Sequence, residues 1–242
     1  MGNVVITGGN RGLGEGLVHH FLKNGSHVCA TVRSESAKND LLLSTEKVMK
    51  NGSSLRVVLW DAEAPHQISP DFAEELLGCE ILINNAGFEA EISQPVPIGQ
   101  NDHTVFSTST SDMMKAFLVN VEAPRILMAL SVPHMLRRRY GRVVNVASAR
   151  ADLNNRVGET NTPAYRLSKA ALVSLTKEAA HEFNDVPNVK FNALCPGWCR
   201  TRMGGANAPE SIEDGVERIV RLCGTSPDDP HGQFFINNAP VR

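Results

Sequence analysis

The chain has 242 residues, 42% of them hydrophobic and 21% charged, an ordinary globular composition with enough length for one α/β domain over 1–242. Its 24 basic and 26 acidic residues leave a net charge of −2, which argues against a nucleic-acid partner. No apolar run reaches the roughly 18 residues of a membrane span, and Val4-Val5-Ile6 leads directly into glycines with no signal-peptide cleavage pattern. The five scattered cysteines (Cys29, Cys79, Cys195, Cys199, Cys223) read as reduced thiols of a cytoplasmic protein. Cys195 and Cys199 have no second pair of ligands at metal spacing, so no metal site is expected; the lack of a long apolar run predicts no membrane partner.

Short β-branched runs predict strands at Val4–Thr7, His27–Thr31, Arg56–Trp60, Ile81–Asn84, Arg142–Ala147, Val189–Cys195 and Gln233–Ile236. Helical patterns separate them, and this alternation predicts a doubly wound (Rossmann) parallel sheet of about seven strands with helices on both faces. Leu13–Asn24 reads as a helix closed by Gly25. Asp112–Leu136 and Pro163–Phe183 read as long central helices, the first with Asp112 as its N-cap and the second with Pro163 in its first turn. The basic run Arg137-Arg138-Arg139 falls where the first of these should end and complements its dipole. Three irregular stretches, 88–111, 149–162 and 198–213, follow strands at the carboxyl edge of the sheet and are expected to border a substrate.

Thr7-Gly8-Gly9-Asn10-Arg11-Gly12-Leu13-Gly14 joins the first strand to the first helix. Glycines there let a phosphate approach main-chain donors at a helix N-terminus, which favours negative charge. With Asn84-Asn85-Ala86-Gly87 and Tyr165-x-x-x-Lys169 following in order, the chain resembles the short-chain dehydrogenase/reductase family over essentially its whole length. Pro196-Gly197-Trp198-Cys199-Arg200-Thr201-Arg202-Met203-Gly204-Gly205 resembles the carbonyl-reductase-like branch of that family.

The second strand ends Thr31-Val32-Arg33-Ser34. In dinucleotide folds an acid there bonds the ribose 2′-hydroxyl, whereas an arginine accommodates a 2′-phosphate. Arg33, with Arg11 beside it, therefore favours NADP(H), although Glu35 leaves NAD(H) open. The resemblance implies that Asp61 accepts from the adenine amino group and that Asn85, Ala86 and Gly87 line the cofactor. It further implies that Pro196, Gly197 and Thr201 lie against it.

Transfer of hydride to a carbonyl needs a proton for the substrate oxygen. A tyrosine hydroxyl can supply it, and a nearby positive charge lowers its ordinary pKa of about 10. Tyr165 and Lys169 are neighbours one helical turn apart. Ser148, just past the fifth strand, is placed to donate to the same oxygen as charge develops on it, the role the resemblance also assigns to it. The resemblance implies that Asn120 holds a water connecting Lys169 to solvent. Ser148 and Tyr165 are 17 positions apart (148 to 165), longer than is usual in the family, and this bears on the pocket's shape. The segment after Pro196-Gly197 is short, with Trp198 and Met203 offering apolar contact to substrate.

The expected activity is thus hydride transfer between an NADPH cofactor and a small carbonyl or secondary alcohol, with Tyr165 as general acid/base. A catalytically silent NADP(H)-binding regulatory protein of the same fold is the alternative. The resemblance also implies a homodimer or homotetramer joined through the two long helices.

Overall fold

The computed structural model describes residues 2–50, 52–90, 104–154 and 162–241. Seven strands lie parallel in one sheet: β1 (Asn3–Ile6), β2 (His27–Val32), β3 (Ser54–Leu59), β4 (Ile81–Asn84), β5 (Gly141–Val146), β6 (Val189–Cys195) and β7 (Gln233–Ile236). Their order is β3-β2-β1-β4-β5-β6-β7, and a two-residue strand β8 (Ala239–Pro240) pairs antiparallel on the β7 edge. This eighth strand is too short to show a period. Asn237 and Asn238, at φ 48° and 69°, make the two-residue turn before it, a conformation that asparagine tolerates.

The helices are α1 (Gly12–Lys23), α2 (Glu35–Thr45), α3 (Pro70–Gly78), α4 (Thr110–Phe117), α5 (Ala123–Arg138), α6 (Pro163–Glu182) and α7 (Ile212–Val220). Alternation along the strands divides the core between two faces. Val4, Ile6 and Val28 meet Leu17, Leu22, Leu41 and Ile219 from α1, α2 and α7. Val5, Leu82, Val143 and Phe191 meet Phe72, Leu76, Leu127 and Ala179 from α3, α5 and α6.

One long helix was expected over Asp112–Leu136 with Asp112 as N-cap. Ser109 takes that place instead: its hydroxyl accepts from the Asp112 amide at 3.0 Å and donates to the Asp112 carboxylate at 2.8 Å. A shorter side chain three positions earlier reaches the free amides better. Helices α4 and α5 run on through a π turn at Leu118–Glu122. Over Thr110–Arg138 an 18-residue window has mean hydropathy 1.3, which by length and composition would suit a membrane span, contrary to the sequence expectation. More than half of that window is buried against the protein's own sheet and helices, as in a core helix.

Arg142, at the amino end of β5, is fully buried. Its guanidinium donates to the Asn188 carbonyl at 2.7 Å, to Asn188 Oδ1 at 2.9 Å and to the Ser226 carbonyl at 3.0 Å, and it pairs with Asp229 at 3.2 Å. It ties the segment before β7 to the sheet, at the end away from the glycine loop.

Candidate active site

The strand order reverses between β1 and β4, and in open α/β sheets the ligand crevice lies beyond the carboxyl ends at such a switch. The first two sequence motifs meet there. Thr7 Oγ1 accepts from the Asn85 and Ala86 amides at 3.0 and 2.9 Å, and Asn85 Nδ2 donates to the Thr7 carbonyl at 2.9 Å. Any side chain at Gly14 would strike the Gly8 carbonyl, since an added Cβ would lie 2.0 Å from that oxygen. Gly12, at φ +53°, faces the Thr201 methyl, 3.1 Å from where a Cβ would stand. Thr201 therefore sits over the start of α1. Leu13 turns its side chain away toward α7, where Gly215 leaves it room.

Asn10, Arg11, Arg33, Ser34 and Ala37 line a cavity of about 290 Å³. Burial and the like charges of Arg202 and Arg33 hold the Arg11 guanidinium below the ordinary arginine range. Three arginines thus crowd one place, one more than the sequence suggested. Glu63 offsets part of this charge, 3.7 Å from Arg33 and 2.8 Å from Lys115. The Asp61 carboxylate accepts from the Glu63 amide at 3.0 Å, a turn that fixes it at the end of β3.

The other polar residues converge past β4 and β5. Asn120 is wholly buried inside the π turn. An extra residue in a helix swings a side chain out of its regular phase, which is why such turns recur at functional sites. Its Oδ1 accepts from the Phe88 amide at 2.9 Å, and its Nδ2 donates to the Phe88 carbonyl at 2.8 Å and to Ser168 Oγ at 2.9 Å. Lys169 Nζ donates to the Val146 carbonyl at 2.7 Å and lies 5.8 Å from the Tyr165 ring centre. A Cβ at Gly87 would stand 3.5 Å from both Asn120 Oδ1 and Lys169 Nζ, so the bare glycine keeps this space open. Ser148 hydrogen-bonds the Tyr165 side chain, so the long connection between them leaves the pair in contact.

Burial pushes the Lys169 ammonium down to about 8, against the opposing pull of Glu89 and Cys195. The sequence expectation was that Lys169 would bring the Tyr165 phenol down. Burial instead raises it well above its ordinary value, and Glu89 and Cys195 add to the rise. The Ser148 hydrogen bond and Arg150 oppose this only in part. Desolvation is the largest cause and outweighs the lowering by Ser148 and Arg150.

Pro196 and Gly197 follow β6, and Arg218 Nη1 bonds the Pro196 carbonyl at 2.8 Å. Trp198 and Met203 are both substantially exposed, and Trp198 Nε1 donates to the Gly204 carbonyl at 2.7 Å. The expected border loops 88–111 and 149–162 lie outside the described residues over 91–103 and 155–161. Sequence reasoning missed Glu89, Arg150 and Thr162, which join around Tyr165. Only the placement of Glu89 two residues past Gly87 and of Arg150 two past Ser148 hinted at them.

A family model described as short chain dehydrogenase matches residues 2–211. NADPH carbonyl reductase 1 of Rattus norvegicus is 27% identical over 264 residues, covering 95% of this chain and 94% of that protein. The NADPH-bound carbonyl reductase from chicken fatty liver superposes with TM-score 0.77 at 25% identity, over 97% of this chain and 95% of that one. 4-Hydroxyisoleucine dehydrogenase, solved with NADH, gives TM-score 0.74 at 26% identity over 98% and 96%. A match over most of the chain, on a sheet of this order, leaves one conclusion: the protein belongs to the short-chain dehydrogenase family of oxidoreductases.

Proposed function

We propose that the protein is an NADPH-dependent carbonyl reductase in which Tyr165 donates a proton to the substrate oxygen. The observation that carries this reading is the convergence of Asn120, Ser148, Tyr165 and Lys169 at the carboxyl edge of the sheet. Bound in the crevice, the nicotinamide supplies or accepts the hydride. Ser148 polarises the carbonyl oxygen, and Tyr165, kept as the neutral phenol by burial, is an acid suited to the reducing direction. Lys169 and Asn120 hold the path by which Tyr165 regains its proton.

The donor set fits the phosphates of this cofactor. Glycine-loop amides open α1, Thr201 closes over Gly12, and the cavity at Arg11 and Arg33 matches a 2′-phosphate in charge and in fork geometry. The remaining contacts are Thr7, Gly8, Asn10, Gly14, Asp61, the Asn85–Gly87 backbone, and Pro196 and Gly197. Trp198 and Met203 would meet the apolar part of a substrate. The similar proteins named with NADPH support this preference, and the NADH-bound relative keeps NAD(H) as the comparison to make. Exposed Met114, Phe117 and Leu167 on α4 and α6 support association through these helices into a homodimer or homotetramer.

The test is to mix purified protein with NADPH and a panel of aldehydes, ketones and quinones and follow cofactor oxidation. Turnover that falls at least 100-fold in Tyr165→Phe is expected. Tight NADPH binding with no turnover would favour a regulatory protein, and a fully active Tyr165→Phe variant would overturn the assignment of the proton donor.

A further inference from the structure

The family's reacting set does not account for a charged pair that stands beside it. Glu89 lies one residue beyond Phe88, whose backbone holds Asn120 at both ends. Its carboxylate is buried, 8% exposed, and pairs with Arg150 Nη1. Arg150 lies on the 3-10 turn Ala149–Ala151, directly after Ser148. The same Nη1 donates to Thr162 Oγ1 at 3.1 Å, and Arg166 Nη1 donates to the Arg150 carbonyl at 3.4 Å. Thr162 is the N-cap residue of α6, yet its side chain makes no capping bond there. The guanidinium also lies 6.0 Å from the Tyr165 ring centre.

These contacts gather three segments that the chain keeps apart: the loop after β4, the turn after β5 and the first turn of α6. With Ser148 and Tyr165 17 positions apart, chain connectivity does little to fix their relative position, because the cost of closing a loop changes only slowly with its length. A charged clamp across the loop's two ends can do so. We propose that Glu89 and Arg150 act as a positioning pair that fastens the Ser148 turn to the first turn of the tyrosine helix and sets the electrostatic field at Tyr165.

The pair works by balance. A buried carboxylate deprived of its cation is a strong perturbation. Among the described residues, the groups facing Tyr165 are Glu89 from the β4 loop, Ser148 and Arg150 from the β5 turn, Cys195 from the end of β6, and Lys169 from its own helix. Of these, Glu89 and Cys195 disfavour tyrosinate, while Ser148 and Arg150 favour it. Removing Arg150 strips away a charge that favours tyrosinate and leaves the opposing charge of Glu89 in place. Removing the charge of Glu89 does the opposite. A residue that served only to hold the loop would move the ionisation of Tyr165 the same way from either side, or not at all.

The inference rests on the reading of Tyr165 as the proton donor, so one arm of its test needs no turnover. The chain contains two tyrosines, Tyr140 and Tyr165, so Tyr140→Phe leaves a single reporter. In that background, with tyrosine labelled at Cζ with ¹³C, the ionisation of Tyr165 is followed by NMR as pH is raised. Glu89→Gln should bring its onset down by about one pH unit and Arg150→Ala should push it up. In the activity arm, kcat/KM should fall at least 10-fold in both variants while the Kd for NADPH stays within about twofold. The Tyr165 limb of the pH–rate profile should move in the same opposite directions, and Arg150→Lys should leave it in place with part of the rate restored. If Arg150→Ala does not fold, the Glu89→Gln and Arg150→Lys responses decide. A Tyr165 onset unmoved in Glu89→Gln, or moved upward, overturns the pair's role. A wild type without turnover, with the onset displaced as expected, sinks the proposed reaction and leaves the pair standing.

Discussion

Asn120 meets Phe88 with both ends of its amide, accepting from the backbone N–H at 2.9 Å and donating to the carbonyl at 2.8 Å. A wholly buried side chain thereby stands in for a strand partner of the loop after β4, while its remaining donor reaches Ser168 Oγ on the tyrosine helix.

Replacing Asn120 with leucine should therefore damage two things at once. The Phe88 amide and carbonyl lose their partners inside the protein, at a cost of about 2 kcal/mol in unfolding free energy. Turnover should fall at least 10-fold with the Kd for NADPH little changed, because the proposed phosphate contacts lie at the glycine loop and at Arg11 and Arg33. Urea unfolding and steady-state kinetics read the two effects separately.

At the other end of the crevice, Arg33→Asp should invert the preference for the nicotinamide. A carboxylate would repel a 2′-phosphate and accept from a 2′-hydroxyl. Loss of one charge-assisted pair corresponds to roughly 10- to 100-fold in the NADPH:NADH ratio of kcat/KM. An unchanged ratio would move the 2′ site away from the cavity at Asn10, Arg11 and Arg33.

Lys169 should leave a signature in the pH dependence of stability. Its pKa in the folded protein, about 8, lies below the ordinary lysine value of 10.5, so between these values the unfolded chain binds more protons. Stability contributed by this group rises with pH across that window and is lower below pH 8. Buried thiols act oppositely at high pH, since burial raises Cys79 and Cys223 to about 12. The comparison that isolates Lys169 is wild type against Lys169→Met by urea unfolding from pH 7 to 10. The stability difference should shift in favour of the wild type by about 2 kcal/mol as pH rises. A flat difference would mean that the ammonium is not desolvated.

Far from the site, Arg142→Met should be costly even though methionine fills similar space. It would strand Asp229 and remove the donors that hold the Asn188 and Ser226 carbonyls. A loss of about 3 kcal/mol is expected from breaking a buried pair on one side. Asp229→Asn, which keeps an acceptor for the guanidinium, should lose distinctly less.

The seven parallel strands and the glycine loop were legible because they rest on short-range patterns: β-branched runs, a period, glycines where a phosphate must approach. Tyr165 and Lys169 are one helical turn apart whatever surrounds them, so their adjacency was readable too. The N-cap at Ser109 was missed by three positions, since several polar residues in a row compete for that role and only backbone geometry selects one. The π turn at Asn120 leaves no periodic mark, because a single extra residue in a helix shifts phase without changing composition.

By itself the sequence determined the sheet, the order of its motifs and the kind of chemistry its polar residues can perform, all of which follow from local preference and residue type. Only the tertiary structure decided how Tyr165 is tuned. Spacing placed a cation beside it and implied a lowered pKa; burial reversed the sign, and Glu89, far away in sequence, added to the reversal. Desolvation and the field of distant charges depend on what the whole chain packs around a group, and no local pattern encodes that.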